Sequence, residues 1–306
     1  MFSVDSCFCG KDPIVFLQYS RKHLCEKHFI EMFDKRFRKT VREFRMLRKN
    51  ERVAVGLSGG KDSCALLHSL AGLNLPLDLV AITINEGIRG YREKTLETAR
   101  RECRNLGIEH VVLDFRKETG MTLDEIVKKE DDDLPCSHCG VLRRYLLNKG
   151  AREVGAAKLA LGHNLDDAAQ TVMMNIMRNE PARLARYNEP IIKSSRFITR
   201  IRPFMRTPEK EIAIYCMVKG IEIDNMDCPY ARFAFRGHVR HVLNETEERY
   251  PGTKFRILNS FLEMEDALRS KYSKNAEINL CKECGEPSAK EVCMFCKTVT
   301  ASCAQK

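Results

Sequence analysis

The sequence predicts an α/β protein, a doubly wound parallel sheet with a small cysteine-rich module at each end. Three observations carry this. Apolar, β-branched runs at residues 53–57, 77–84, 110–115 and 158–161 read as strands, and helical patterns at 95–106 and 140–154 fall between them. Alternation of this kind, closed by right-handed crossovers, puts helices on both faces of a parallel sheet. Cysteines, finally, are paired near both termini, in segments too short to bury a core.

The order of elements divides the chain into a zinc module over residues 1–30, a catalytic core with a basic, mainly helical part over 31–272, and a second zinc module over 273–306. No signal-peptide pattern opens the sequence, because Asp5, Lys11 and Asp12 stand where an apolar segment would be needed. The most apolar stretch, 64–84, is interrupted by His68, Asn74, Pro76 and Asp78. No membrane span is therefore expected, and the expected location is the cytoplasm.

Lys and Arg number 52 against 42 Asp and Glu, a formal charge of +10 that favours a polyanionic partner. Residues 35–52 include nine Lys or Arg, while Phe33, Phe37, Val41 and Phe44 recur at helical spacing. That describes a helix with one buried face and one cationic face, although a solvated helix surface has the same pattern. Arg183, Arg186, Lys193, Arg196, Arg200, Arg202, Arg206, Arg232, Arg236 and Arg240 extend it toward a nucleic-acid track.

The strongest chemical signal is Leu57-Ser58-Gly59-Gly60-Lys61-Asp62-Ser63, which joins the strand at 53–57 to a helical pattern. The glycines let the backbone approach an anion closely. N–H groups at the helix start, the serine hydroxyls and Lys61 then make a pocket for phosphate oxygens, and Asp62 suits an accompanying Mg²⁺ ion. The spacing of a Walker A loop is absent. The string resembles instead the PP-loop of the ATP pyrophosphatases (adenine nucleotide hydrolase-like fold), which adenylate a substrate oxygen and release pyrophosphate. A second string, Gly162-His163-Asn164-Leu165-Asp166-Asp167, also follows a strand, so both loops are expected at one crevice. It resembles the second nucleotide-site motif of PP-loop tRNA-modifying enzymes. That resemblance implies Gly162 against the nucleotide and Asp167 in catalysis, as proton acceptor or metal partner. Helix capping by Asn164 and Asp166 is compatible with this, but accounts less well for Asp167.

Fourteen cysteines without a secretion signal point to metal or redox chemistry rather than disulfides. Cys7, Cys9, Cys25 and His28 make one closed tetrahedral zinc set, and Cys281, Cys284, Cys293 and Cys296 make a zinc ribbon. Segments this small need a metal to fold, so two structural Zn²⁺ ions are expected. Cys136, Cys139 and Cys228 remain. His138 would complete a third zinc site, whereas three thiolates alone suit an iron–sulfur cluster with one iron open to a sulfide.

Together these motifs resemble the archaeal and eukaryotic tRNA 2-thiouridine synthetases of the TtuA/NcsA type, over nearly the whole chain. The resemblance implies that ATP adenylates the C2 oxygen of a tRNA uridine and that sulfur then displaces AMP. It implies a 4Fe-4S or 3Fe-4S cluster on Cys136, Cys139 and Cys228, and a homodimer. The implied sulfur source is sulfide or a thiocarboxylated ubiquitin-like carrier. The wobble uridine is the expected target and the T-loop uridine the alternative. Two positions depart from the family: Ser6 stands where its first zinc thiol would lie, and its basic residue four after Cys-x-x-Cys is Arg143 here. Arginine does not readily give up its proton, so Arg143 is expected to steady phosphates. On this reading the Ser58-to-Ser63 loop holds the pyrophosphate end of ATP, with Ile84 and Gly162 at the nucleoside and Lys61 and Arg143 at the crowded phosphates. The rivals are a persulfide chemistry on Cys136 and Cys228, a non-thiolating PP-loop synthetase, and an RNA-binding module without ATP turnover.

Overall fold

The computed structural model describes residues 6–129, 135–188, 194, 196–223, 228–230, 235–273 and 279–304. Lys193, Arg232 and the acidic run 224–227 lie outside them. The N-terminal module is a hairpin of β1 (Val15–Leu17) and β2 (Lys22–Leu24), followed by α1 (Glu26–Glu43). Phe29, Phe33, Phe37 and Val41 recur every fourth residue of α1, so they share one stripe, and all four are buried. Phe33 stacks on Tyr215 with ring centroids 4.2 Å apart, and Phe37 meets Phe204 edge-on. The helix is shorter than its spacing suggests. It ends at Glu43, with Phe44 as its cap, and the chain turns through left-handed Arg45 and Asn50. Not every cation nearby faces solvent either, since Arg36 is paired to buried Glu211 at 2.5 Å.

The central sheet contains β3 (Arg52–Gly56), β4 (Asp78–Asn85), β5 (Glu109–Asp114), β6 (Lys158–Leu161) and β7 (Thr199–Ile201). It is parallel throughout, in the order β5-β4-β3-β6-β7. Helices α2 (Lys61–Ala71) and α3 (Arg92–Leu106) cover one face. The short α4 (Phe115–Thr119) and α5 (Leu123–Lys129), with the long α6 (Pro135–Glu153), cover the other. Alternation along β3 divides its side chains accordingly: Val53 and Val55 enter the first core, and Ala54 enters the second.

The chain starts at the centre, winds outward through β4 and β5, and then crosses back to place β6 against the other edge of β3. That reversal is a topological switch point, where the loops after β3 and β6 diverge and leave a crevice. Past it come α7 (Leu165–Met177), α8 (Pro181–Leu184), β7, α9 (Glu209–Val218), α10 (Phe235–Arg249) and α11 (Thr253–Ser273). The edge strand β7 is absent from the sequence reading, which assigned this region to helix. Three residues with two polar side chains give little pattern, and pairing with β6 creates the strand.

At the far end β8 (Asn279–Leu280) pairs with β9 (Pro287–Ser288), and α12 (Met294–Ala304) follows. Phe295 of α12 stacks on Tyr145 of α6 with centroids 3.6 Å apart, and Arg152 grips Glu286 with a two-pronged contact at 2.6 and 3.1 Å. The module thus rests on the helix that begins with Cys136 and Cys139. No helix among the described residues is long and apolar enough to cross a membrane.

Candidate active site

The loop between β3 and α2 is shaped by its own hydroxyls. Ser63 Oγ donates to the Gly60 carbonyl at 2.9 Å and accepts from the Ser58 N–H at 3.1 Å. Gly60 caps α2 without a side-chain acceptor, so first-turn N–H groups remain available to an anion. Gly59 has a different task from the anion contact expected of it. Its φ is +86°, and a Cβ there would lie 1.9 Å from the Thr95 carbonyl oxygen, so this glycine lets the loop press against α3.

Gly162, at the end of β6, faces this loop. A Cβ would fall 2.9 Å from the carbonyl carbon and oxygen of Asp62. Asn164 then caps α7 in a reciprocal box: its Oδ1 accepts from Asp167 N at 3.0 Å, and Asp167 Oδ2 accepts from Asn164 N at 3.2 Å. The capping partner is therefore Asp167, not Asp166 as the sequence suggested. Asp166 instead takes the buried Lys254 ammonium and the N–H of Glu209.

The crevice between the two loops encloses about 150 Å³, and of the expected nucleotide residues Leu57, Ser58, Asp62, Ser63, Ile84, Gly162 and Asp167 line it, together with Arg143. Gly59, Gly60 and Lys61 do not. Lys61 bends away to Glu209 at 2.6 Å and Asp62 at 3.2 Å. Burial works against its charge, but these two carboxylates outweigh that and hold its pKa above the ordinary value. Asp62 and Asp167 are both pushed upward, mainly by burial, against the opposing pull of Lys61 on Asp62 and of Arg236 on Asp167. Two such carboxylates at one anion-binding crevice fit a hard divalent cation such as Mg²⁺.

Two crevice residues escaped the sequence reading. Buried Glu86 lies between Arg92, at 2.9 Å, and Arg143, at 3.2 Å. Arg92 also donates to the carbonyls of Ser58 (2.8 Å) and Ile84, fixing the ends of β3 and β4 together. The available signal was the run from Glu86 to Arg92, which contains Gly87 and Gly90 and follows a strand as the other two motifs do. His163 also lines the crevice.

Arg143 has a second neighbour. Burial opposes its charge, but Glu86 and Cys139 favour it more. Cys136 and Cys139, one turn apart at the start of α6, and Cys228 influence one another electrostatically. Cys136 Sγ donates to the Tyr230 carbonyl at 3.4 Å, and the Tyr230 hydroxyl donates to Asp124 at 2.8 Å. These contacts hold the Cys228 segment near the helix start.

The terminal sets have a tighter geometry. Among the described residues, Cys7, Cys9, Cys25 and His28 converge within 4.8 Å, and so do Cys281, Cys284, Cys293 and Cys296. Thiolates at about 2.3 Å from one tetrahedral zinc are about 3.8 Å apart. Cys9–Cys25, Cys281–Cys296 and Cys284–Cys293 are separated by 3.8, 3.9 and 3.6 Å. Cys7 takes its place despite the shortened Cys-x-Cys spacing, 3.2 Å from His28 Nδ1. Cys136, Cys139 and Cys228 do not close to this size, with or without His138. Ligands to separate irons of a cluster are spaced more widely than the edge of a one-ion tetrahedron. Burial raises all three thiols above their ordinary value, so they would be thiolates only with a metal bound.

Comparison with known proteins agrees with this geometry. The PP-loop domain family matches residues 29–246, and the N-terminal LIM domain of 2-thiouridine synthetase TtuA matches residues 7–30. The chain belongs to the PP-loop family, in its TtuA/NcsA branch. The tRNA 2-thiolation protein NcsA of Haloferax volcanii is 35% identical over 95% of this chain and 97% of its own length. The tRNA-5-methyluridine(54) 2-sulfurtransferase of Pyrococcus horikoshii is 34% identical over 95% of this chain and 92% of its own. Among solved structures, the U34-tRNA thiolase NcsA from Methanococcus maripaludis with its [4Fe-4S] cluster matches with a TM-score of 0.83 and 35% identity, covering 98% of this chain and 97% of that one. In this PP-loop protein the loops after β3 and β6 meet at the switch point, where Arg143 neighbours Cys139.

Proposed function

We propose that this protein is an ATP-dependent tRNA uridine 2-sulfurtransferase acting in the cytoplasm, with the wobble uridine as its target. The observation that carries the reading is the position of Arg143, which lines the crevice and neighbours Cys139. Arg143 thus links the proposed nucleotide crevice to the thiol of Cys139.

The first half-reaction would convert the uridine C2 oxygen into a leaving group. The loop running from Ser58 to Ser63 would receive the pyrophosphate end of ATP on its α2 N–H groups and hydroxyls, and Asp62 and Asp167 would hold Mg²⁺. Ile84 and Gly162 border the nucleoside. The C2 oxygen attacks the α-phosphorus, pyrophosphate leaves, and Arg143 offsets the charge that develops. Lys61 acts indirectly in this reading, by orienting Asp62.

In the second half-reaction hydrosulfide adds at C2, and AMP departs with the former uridine oxygen. Cys136, Cys139 and Cys228 would hold an iron–sulfur cluster beside the crevice. With three protein ligands, its remaining iron supplies a binding site for sulfide. The two zinc sets have no part in the chemistry; they fasten the terminal modules to α1 and α6.

Metal analysis tests this. Protein purified without oxygen should carry iron and acid-labile sulfide at cluster stoichiometry, with about two zinc ions per chain. Zinc alone, with a persulfide on Cys136 or Cys228, would replace the cluster reading with persulfide chemistry.

A further inference from the structure

The arginines of the basic track fall into two groups. Arg206 is neutralised by Glu43 at 2.9 Å, Arg183 by Glu180 at 3.2 Å, and Arg196 lies 3.8 Å from Glu286. Arg144, Arg200 and Arg202 have no carboxylate at ion-pair distance among the described residues; Arg200 and Arg202 contact backbone carbonyls and an aromatic ring. Arg200 donates to the Arg144 carbonyl at 3.2 Å, and Arg202 donates to the Tyr187 carbonyl at 2.7 Å with its guanidinium 4.7 Å from that ring's centre.

Strand alternation explains why they gather. Ile198 packs in the core under α6 and Ile201 in the opposite one, so Arg200 points to the α6 side, where Arg144 lies. Arg202 follows at the carboxyl end of β7, beside the end of β6 that leads into Gly162 and His163. Arg236 approaches from α10, bonding Gln170 and Thr171.

The cost of this gathering is visible. Arg200 is pulled down to about 10 by burial, Arg144 and Arg202. Arg144 is lowered by burial, Arg143 and Arg183, and His163 by burial and then Arg202, Arg236, Arg143 and Arg200. The mutual repulsion of these guanidinium groups is what an incoming anion relieves.

We propose that Arg144, Arg200 and Arg202 form a phosphodiester-binding site for the RNA strand at the mouth of the crevice, separate from the phosphate loop. None of the three lines the ATP crevice, whereas Arg92 and Arg143 do. The planar fork of guanidinium matches phosphate oxygens in pairs. The site rests on the tRNA reading above and adds to it the edge from which the strand enters, past β7. A strand gripped there would present its nucleotide toward His163.

The experiment uses Arg200→Gln and Arg202→Gln, an in vitro transcribed tRNA and ATP, with Arg206→Gln as the paired-arginine control. Plots of log affinity against log salt for tRNA should become shallower by about 1 in each of the first two variants. The control should retain the wild-type slope, and Arg200→Lys should largely restore it. ATP affinity should stay within about twofold throughout, which also shows that the variants fold. Unchanged tRNA slopes would overturn the site, and so would a tenfold loss of ATP affinity with tRNA binding intact, which would assign the arginines to the nucleotide. Wild-type protein that failed to bind tRNA at all would instead refute the function on which the site rests.

Discussion

The side-chain amide of Asn164 donates to Asp62 Oδ1 at 3.0 Å, joining two motifs about a hundred residues apart in the chain. The same side chain caps α7 through its carbonyl oxygen. One asparagine thus fixes both the helix that presents Asp167 and the carboxylate that faces it. Asn164→Ala should lower stability by about 1 kcal/mol through the lost cap and should also weaken ATP binding. Asn164→Asp keeps the cap but faces Asp62 with a like charge. It should bind Mg·ATP poorly while unfolding closer to wild type in a urea titration, which separates the two roles.

The Tyr230 hydroxyl is the described anchor of the Cys228 segment on Asp124, whose other oxygen accepts from Arg89 N at 2.9 Å. Tyr230→Phe removes only that donor. Iron retained after anaerobic reconstitution and a desalting step should fall in this variant, with ATP affinity unchanged. Equal iron in Tyr230→Phe and wild type would show that the segment is held by other means.

Phe33 is fully buried in α1 and packs on Phe204 and Tyr215. Phe33→Ala should cost about 3–5 kcal/mol, the range for emptying an aromatic site in a core. Differential scanning calorimetry should register this as a lowered main transition, because α1 belongs to the core as well as to the N-terminal module.

The architecture was legible where local pattern and tertiary environment agreed. Strands β3 to β6 were read within one residue at every end, and the apolar runs of β3, β4 and β6 are buried on both faces. The convergence of the two terminal four-residue sets, each able to hold a metal ion, followed from spacing, since a tetrahedral ion accepts few arrangements of Cys and His. Other features had no local signature. Gly59 looked like an anion glycine, yet its demanding contact is with Thr95. Lys61 looked like a phosphate ligand, yet Glu209 and Asp62 turn it aside. Glu86 and Arg92 were passed over because an ion pair across a loop, unlike a zinc knuckle, has no fixed spacing to recognise.

Removing one zinc set should be a local event. Cys281→Ser should reduce zinc from about two ions per chain to about one and free α12 from its partner module. Without the stacking of Phe295 on Tyr145, protease should then cut near residues 279–304 while the core survives. Loss of both zinc ions would mean that the two modules are coupled.

In the proposed reaction one crevice couples ATP activation of a tRNA uridine to sulfur delivery from Cys136, Cys139 and Cys228. The most direct measurement is 2-thiouridine in tRNA after anaerobic incubation with sulfide, read by mass spectrometry for wild type with and without ATP and for Cys139→Ala. Product is expected only for wild type with ATP, together with unchanged ATP binding by Cys139→Ala. Full thiolation by Cys139→Ala, or thiolation without ATP, would contradict it.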